Sequence, residues 1–529
     1  MKHAYDVVII GAGMGGLSCG AWLARHGMSV LVVEQNSAVG GFCSTYRRGD
    51  FHFTVAASEV TGTTPDGVIR RVLRALGIEE RVRFLPLDYG YHVHFPDFDY
   101  YIFSGDTDAR NRTMDQFLKR FPAEANGIKK FFAELARINE QAEYATFLDT
   151  SPRSIARVMV KCPTLLRHMG RGIVPFMDAY LHDPRLRAAL SINATCANLP
   201  PSRMAAVGIA GLLIEGSRSI PHLAGGAQAL PEAFAGYIRN HGGEVVTGQR
   251  VCGITVRSRC ATAVSIVPSA LNTHAPSLFP TEIQTRYVVS NVSARQTFND
   301  LIGHDQIGFF YRKRLNRYMV TPPFCALLLG IDMDLKALGY GPALHIYTST
   351  YDTEEHFKNV SARMLGQCGP EPFFRLQLAN LSDPSSAPPG KTALVIHMIP
   401  APVDGWDDPD FEHRVADVMI QRLEKRIPGL SKHIAYREFW SPHTIDRYMM
   451  CGQDASIGWA LTPQQLGPRR LAQETPLRNL FLCGHWTRPA IGIIGVVVSG
   501  LQAARMILTR EGVAEPLEAI GVRGGVRIG

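Results

Sequence analysis

The sequence lacks closely spaced cysteines and runs of basic residues, and these absences exclude several classes of protein. Its 10 cysteines are dispersed along 529 residues without a C-x-x-C pair. Dispersed thiols predict buried, reduced cysteines in a reducing compartment rather than a disulfide framework. The net charge of +8 comes from scattered lysines and arginines that are not interleaved with aromatic residues. We therefore expect no nucleic-acid partner, although a basic face could contact anionic lipid.

Hydrolytic and metal-binding motifs are also missing. The chain contains neither G-x-S-x-G nor H-E-x-x-H, and its histidines are not clustered in a metal-ligand spacing. We therefore predict no hydrolytic centre and no metal site.

No apolar run is continuous enough to predict a transmembrane helix. The longest, residues 491–508, is interrupted by glycines, by Gln502 and by Arg505. We interpret it as a helix buried inside the protein. The first predicted strand begins near residue 5, so we expect no cleaved signal peptide.

What the chain does have is a strand–glycine–helix unit at its start. Residues 7–10 are typical of a strand buried on both faces, and residues 17–24 predict a helix. Between them lies G-x-G-x-x-G, and a second strand over residues 29–33 ends in an acid. Such glycines allow a tight turn, the approach of a pyrophosphate and close helix packing, while the acid binds ribose hydroxyls. The dinucleotide-binding residues predicted here are Gly11, Gly13, Met14, Gly15, Gly16, Glu34 and Gln35.

The segment Gly40-Gly41-Phe42-Cys43-Ser44-Thr45 narrows the choice of dinucleotide. It resembles the G-G-x-x-x-T that follows the acidic residue in FAD enzymes related to amine oxidases and phytoene desaturases. The resemblance implies FAD as the cofactor, with Gly40, Gly41 and Thr45 in its site.

Further motifs extend the resemblance to the phytoene desaturase superfamily, which includes carotenoid desaturases, carotenoid cis-trans isomerases and retinol saturases. Residues 225–256 resemble the family's second nucleotide segment, residues 287–291 resemble V-V-x-N, and residues 383–390 resemble D-P-S-x-A-P-P-G. Residues 475–508 resemble the closing motif, whose helix N-terminus faces the flavin pyrimidine ring in the family. The resemblance adds to the predicted FAD site Val251, Asn291, Gly484, His485, Ile493, Ile494 and Gly495.

The chain departs from the family pattern beside the expected flavin. Thr54 and Ala56 replace the Asp and Gly of F-D-x-G, and His485 replaces an Asp that usually bonds the ribityl chain. No catalytic residue follows from these patterns. Glu59 and His485 are the candidates for a general acid or base, with a capping glutamate and a structural histidine as the alternatives.

The resemblance implies an α/β fold, in which a doubly wound Rossmann-type FAD domain carries an inserted mixed α+β substrate domain. We predict the FAD domain over residues 1–85, 225–295 and 471–510, and the substrate or membrane-facing domain over 86–224 and 296–470. A loose glycine-rich tail is expected over 511–529. Outside the motifs, we predict a helix over 64–76, a strand pair over 91–95 and 100–103, and mostly helix over 114–222.

Residues 155–177 are mostly apolar but include several basic side chains. Such a segment could lie in a membrane interface or gate a lipid tunnel, and an ordinary packed helical cap is the alternative. We expect a cytoplasmic protein that is attached peripherally to a membrane.

Family substrates are long apolar polyenes, so the resemblance implies an FAD-dependent oxidoreductase acting on a polyene or isoprenoid lipid. Carotenoid desaturation is the first expectation, and cis-trans isomerisation or retinol-type saturation are alternatives. An amine oxidase and a flavin-free binding module resembling GDP-dissociation inhibitors are alternatives of another class. The exact substrate, the electron acceptor and the oligomeric state do not follow from the sequence.

Overall fold

The computed structural model describes residues 1–56, 60–105, 107–148, 151–271, 279–369, 371, 373–378, 381–401, 405–408, 410–452, 455–513 and 517–520. Its strands in chain order are β1 (Ala4–Ile10), β2 (Val30–Val33), β3 (Thr45–Arg48), β4 (Phe51–Thr54), β5 (Phe84–Leu85), β6 (Tyr89–His94), β7 (Asp99–Phe103), β8 (His222–Leu223), β9 (Glu244–Val246), β10 (Gln249–Arg257), β11 (Cys260–Pro268), β12 (Thr281–Ser290), β13 (Cys325–Ile331), β14 (Leu344–Tyr347), β15 (Phe374–Gln377), β16 (Thr392–Met398), β17 (Ile434–Trp440) and β18 (Leu480–Leu482).

The α-helices, also in chain order, are α1 (Met14–Arg25), α2 (Val68–Ala75), α3 (Thr107–Arg120), α4 (Ala125–Thr146), α5 (Pro152–Lys161), α6 (Pro163–His168), α7 (Ile173–Met177), α8 (Pro184–Ser191), α9 (Ala206–Ala210), α10 (Gly216–Arg218), α11 (Ala229–Asn240), α12 (Ala294–Gln296), α13 (Phe309–Arg317), α14 (Val360–Met364), α15 (Phe411–Glu424), α16 (Pro442–Met449) and α17 (Gly492–Arg510).

The first sheet contains the strand–helix–strand unit predicted from the N-terminal sequence. Its strand order is β10-β11-β12-β1-β2-β9, with β18 also paired to β12. The central strands run parallel, whereas β10, β11 and β12 pair antiparallel. The last four residues of β1 and all of β2 are buried, as expected for parallel strands that helices cover on both faces.

The second sheet is mixed and has the order β17-β13-β16-β15-β14-β6-β7. Only the β14–β6 pair is parallel among its described pairings. The predicted strand pair over 91–95 and 100–103 is confirmed as β6 and β7, in a layer separate from the first sheet. The α/β fold with an inserted mixed domain is therefore confirmed, while the predicted domain boundaries remain a prediction.

Helices α3 to α10 fill most of the stretch that was predicted to be helical over 114–222. The helix predicted over 64–76 begins later, at Val68, with Gly67 as its N-cap. The amide of Gly67 instead donates to the carbonyl of Thr64 at 2.8 Å, so residues 64–67 form a turn. Pro65 and Asp66 favour that turn over a first helical turn.

Helix α17 confirms the prediction of a buried apolar helix. It is long and apolar enough by composition to cross a membrane, yet 67% of its most apolar window is buried inside the protein. Its Gly500 lets it pack directly against α1, which accounts for one of the interruptions in the apolar run. All 10 cysteines are free thiols, as predicted, but Cys252 and Cys368 are exposed rather than buried. The predicted loose tail lies mostly outside the described residues.

Candidate flavin site

The glycine-rich loop positions the start of α1 at the carboxyl edge of the first sheet. Gly11 has φ +92°, a conformation that favours glycine. Gly13 is the N-cap of α1, no described side chain caps the helix, and its first turn carries no acidic residue. Unpaired N–H groups at a helix N-terminus attract an anion, so this end of α1 suits a pyrophosphate.

Close packing around the loop shows why its glycines cannot carry side chains. A Cβ on Gly13 would lie 2.7 Å from Nδ2 of Asn291, and one on Gly15 would lie 2.8 Å from the Cα of Gly484. Gly16 fits against the carbonyl of Gly11, so the helix lies close to the strand, as predicted. Asn291 therefore lies beside predicted glycines from two segments that are remote in the sequence, Gly13 and Gly15 in the first and Gly484 in the other.

Glu34, at the end of β2, is a buried carboxylate that accepts hydrogen bonds from main-chain amides. Its Oε2 accepts from the amide of Ala12 at 2.8 Å, and its Oε1 accepts from the amide of Asn36 at 2.9 Å. Burial raises the pKa of Glu34, and these hydrogen bonds oppose the rise. No cationic side chain pairs with it among the described residues. A carboxylate with spare lone pairs at this position suits ribose hydroxyls.

A cleft of about 490 Å³ opens beside Gln35. Arg250 of β10 lines the same cleft, and the next residue, the buried Val251, pairs with Ile266. The side chain of Gln35 donates to the carbonyl of Tyr448 at 3.1 Å. The cleft therefore adjoins the segments predicted to hold the adenosine half of the cofactor.

The G-G-x-x-x-T segment packs on the glycine loop. The amide of Gly40 donates to the carbonyl of Ala12 at 2.8 Å, and Gly41 lies directly against Gly13. The hydroxyls of Thr45 and Thr54 are 2.9 Å apart. Thr54, which replaces the family's Asp, therefore serves as a hydrogen-bond partner within the β3–β4 hairpin.

The closing segment brings a second helix N-terminus to the site. Gly484 has φ +83°, and its amide donates to Oγ of Ser499 at 3.1 Å. Helix α17 follows with Ile491 as its N-cap, no side-chain cap and no acidic residue in its first turn. Ile493, Ile494 and Gly495 lie in this first turn, where the helix dipole favours negative charge.

His485 stays neutral in this environment. Burial and the nearby guanidinium of Arg470 lower the pKa of His485 to about 3. Its ring lies 6.0 Å from that of Phe42, which borders the same site. A neutral imidazole of such low basicity is a weak general base near pH 7, and its role in catalysis remains a prediction. The other candidate, Glu59, lies outside the described residues.

Arg470 is a site residue that the sequence analysis missed. Its side chain is fully buried and donates to the carbonyls of His485 at 2.6 Å, Thr487 at 2.6 Å and Trp459 at 3.1 Å. It therefore fixes the loop that follows Gly484. No local pattern signals this role, because the bonded carbonyls lie 11–17 residues away along the chain.

Asp383 is a second missed residue, although its D-P-S-x-A-P-P-G motif was recognised. Its Oδ2 accepts from the amide of Gly225 at 2.6 Å. The contact holds the turn of Gly225 and Gly226 that packs against Thr45. The motif thus connects the second sheet's loops to the predicted flavin site.

An apolar, aromatic recess borders this site. It is lined by Gly41, Phe42, Ser44, Tyr46, Val55, Ala56, Phe324, Trp440, Ile445 and Met449, and none of these side chains is charged. Tyr46 packs edge-on against Trp440 at 4.7 Å between ring centroids. The recess lies where the β3–β4 hairpin meets the second sheet.

The described residues fit FAD. Two uncapped helix N-termini, a buried carboxylate without a cationic partner and glycines that exclude side chains together suit a pyrophosphate, a ribose and an electron-rich ring. The contribution of each individual residue remains a prediction.

Two family models match the chain. The NAD(P)-binding Rossmann-like domain matches residues 9–76, and the flavin-containing amine oxidoreductase matches residues 335–508. Phytoene desaturase (neurosporene-forming) from Rhodobacter capsulatus is 25% identical over 94% of this chain and 93% of its own length. Prolycopene isomerase 1 from an Oncidium hybrid cultivar is 23% identical over 96% of this chain and 84% of its own length.

A solved structure has the same fold. Cyclohexylamine oxidase from Brevibacterium oxydans superposes with a TM-score of 0.59 at 16% identity, covering 96% of this chain and 100% of its own. At this identity the likeness supports the fold alone.

Proposed function

Because the chain belongs to the superfamily of FAD-dependent oxidoreductases that includes phytoene desaturases and prolycopene isomerases, we propose that it desaturates a long apolar polyene such as a carotenoid. The observation that carries the proposal is the uncharged, aromatic lining of the recess beside Gly41 and Phe42, whose volume of about 10 Å³ must widen to admit a polyene. Such a lining suits a conjugated hydrocarbon, because it offers contact with π systems and carries no charge.

Bound FAD supplies the hydride acceptor for this reaction, which no side chain provides. The chain's own residues bind and orient the reactants and exclude water. The N-terminal turn of α17, near Ile493, would stabilise negative charge on the ring through its dipole and its free N–H groups. Arg470 keeps the neighbouring loop in place from a fully buried position.

The test is anaerobic incubation of the oxidised holoenzyme with candidate polyenes, while flavin absorbance and product conjugation are followed. Bleaching of the flavin together with a more conjugated product would support desaturation. Product formed only after prior flavin reduction, without net electron use, would refute desaturation and favour a cis-trans isomerase. Reductant consumed in proportion to product would indicate a saturase, and turnover of amines alone would indicate an amine oxidase.

The same proposal includes peripheral attachment to a membrane through α5 and α7. Large apolar side chains point outward here, with exposures of 55% for Ile155, 63% for Met159, 79% for Val160 and 36% for Val174. Arg157 and Lys161 lie among them on α5. Exposed apolar residues flanked by basic ones on a short helix are typical of a surface that inserts into the interface of an anionic membrane.

We predict that Met159→Glu with Val160→Glu weakens binding to anionic liposomes, because two apolar contacts are replaced by like charge to the lipid. Flotation measures the bound fraction, which we expect to fall severalfold without loss of FAD. Leu338→Glu is the control for placing a glutamate at an exposed apolar site, since Leu338 is 57% exposed but lies outside this surface. Equal flotation of wild type and the α5 variant would contradict the assignment of this surface.

A further inference from the structure

Three histidines that are separated in sequence come together on the second sheet. His92 and His94 project from the same face of β6, because they are two residues apart in one strand. His345 of β14 is the parallel neighbour of His92, and Asp99 of β7 lies opposite His94. One potential ligand atom from each histidine lies within 4.8 Å of those of the other two. The expectation that the histidines are not clustered therefore holds only along the sequence.

The hydrogen bonds of the cluster define where its lone pairs point. Nδ1 of His94 lies 3.0 Å from Oδ2 of Asp99, and Nε2 of His345 lies 3.2 Å from the carbonyl of Gly341. Both of those oxygens are acceptors, so the two nitrogens that face them carry the protons. Nε2 of His94 and Nδ1 of His345 are then left with lone pairs, and they face each other at 3.3 Å.

Two facing lone pairs need a positive charge between them. A tetrahedral zinc ion, with Zn–N bonds of about 2.0–2.1 Å, holds two nitrogens about 3.4 Å apart. This matches the separation of the pair, but the rings meet head-on with their centroids 5.6 Å apart, so both rings must turn for their lone pairs to converge on one ion. Nε2 of His92 is buried and makes no hydrogen bond to any described residue. It lies 3.6 Å from Oδ2 of Asp99 and is available as a third ligand.

The tautomers that these hydrogen bonds assign to His94 and His345 are those of neutral imidazoles, the form that ligates metals. The nearby guanidinium of Arg426 is itself compensated by Glu371, 3.6 Å away.

We propose that His92, His94 and His345 bind one zinc-type divalent transition-metal ion, with Asp99 orienting His94 through its other ring nitrogen. The carboxylate–histidine pair is the usual support of a metal-bound imidazole. His345 on β14 lies two strands from β16 in the sheet, and His92 and His94 on β6 lie three strands from it, which gives separations of about 10 and 14 Å at about 4.8 Å per strand. β13 and β16 are the strands that meet the β3–β4 hairpin, through Gly330 against Phe51 and His397 against Val55. The metal would therefore tie β6, β7 and β14 together rather than take part in the redox step.

The experiment uses full-length, flavin-loaded protein without a histidine tag, stripped with a chelator and titrated with Zn²⁺ alone. We expect one Zn²⁺ per chain by elemental analysis and a rise in Tm on addition of zinc. His94→Gln should lower the zinc affinity by at least about 100-fold, and Asp99→Asn by about 10–100-fold, as for other supporting carboxylates. His433→Gln, an exposed histidine elsewhere, should bind zinc as wild type does.

Two outcomes would overturn the proposal. Wild type that binds zinc no more tightly than His94→Gln would show that the facing nitrogens share a proton instead. Unchanged affinity in both His94→Gln and Asp99→Asn would place any bound zinc elsewhere. If His94→Gln does not fold, Asp99→Asn decides alone, because the Asp99 side chain is 50% exposed and its replacement leaves the core intact.

Discussion

At the scale of single residues, the predicted flavin site depends on glycines, because a side chain at these positions would collide with neighbouring atoms. Gly13 has Asn291 where a Cβ would stand, at 2.7 Å from Nδ2. We predict that Gly13→Val lowers FAD affinity about 10–100-fold, because overpacking of about 1–3 kcal/mol falls where the pyrophosphate approaches. Flavin fluorescence during titration of the apoprotein with FAD measures this affinity. Gly308→Ala is the control, since a Cβ there meets nothing within 4 Å; unchanged affinity in Gly13→Val would move the pyrophosphate elsewhere.

Arg470 offers a second residue-scale test. Its guanidinium donates to the carbonyls of Trp459, His485 and Thr487 from a fully buried position. An ammonium cannot span all three, so Arg470→Lys should leave buried carbonyls unpaired and lower the free energy of unfolding by about 2–4 kcal/mol. Urea unfolding followed by flavin release measures the loss. Arg137→Lys is the control, because the Arg137 side chain is 66% exposed and its replacement should change the free energy of unfolding little. A loss below 1 kcal/mol in Arg470→Lys, about the effect of a surface substitution, would contradict the supporting role of Arg470.

At the scale of elements, the crossing of α1 and α17 depends on Gly500. A Cβ there would stand against the carbonyl of Gly15 and Oγ of Ser18, and 2.9 Å from the amide of Cys19. We predict that Gly500→Ala pushes the helices apart, costs about 1–3 kcal/mol of stability and weakens FAD binding, since both helix N-termini border the site. Gly211→Ala is the matched control, because its Cβ meets nothing within 4 Å. Equal thermal stability of the two variants would show that the crossing is loose.

Elements that depend on nearby residues could be predicted, and those that depend on remote pairing could not. The spans of β1, α1 and β2 differ from the predictions by a few residues at most, because continuous apolar runs and the glycines specify them locally. The histidine cluster depends on β14 lying parallel to β6, about 250 residues away in sequence. Arg470 likewise has partners that only the folded chain brings to it. Spacing therefore predicts the cofactor loop but not its supports.

At the scale of the whole molecule, buried neutral histidines set the response to acid. Burial lowers the pKa of His222 and of His356 to about 4 and that of His397 to about 3. Nδ1 of His356 accepts a hydrogen bond from the amide of Phe373 at 3.3 Å. Protonation of Nδ1 would therefore place its N–H against the N–H of Phe373, and neither group could accept. In the unfolded chain these histidines titrate near pH 6.5. Their contribution to stability is therefore complete above pH 6.5 and is lost as the pH falls toward 4.

We predict that these three histidines contribute a fall of about 3 kcal/mol in the free energy of unfolding between pH 6.5 and 5.5, since there the unfolded chain takes up most of three protons that the folded chain does not bind. Urea unfolding at pH 7.5, 6.5 and 5.5 measures the slope. His356→Gln removes one of the protons, so its stability should fall by about 1 kcal/mol less than that of wild type between pH 6.5 and 5.5, even though its stability at pH 7.5 is lower. His433→Gln removes an exposed histidine and should keep the wild-type slope. Parallel slopes for wild type and His356→Gln would mean that His356 binds its proton in the folded protein as well and contributes nothing to the acid sensitivity.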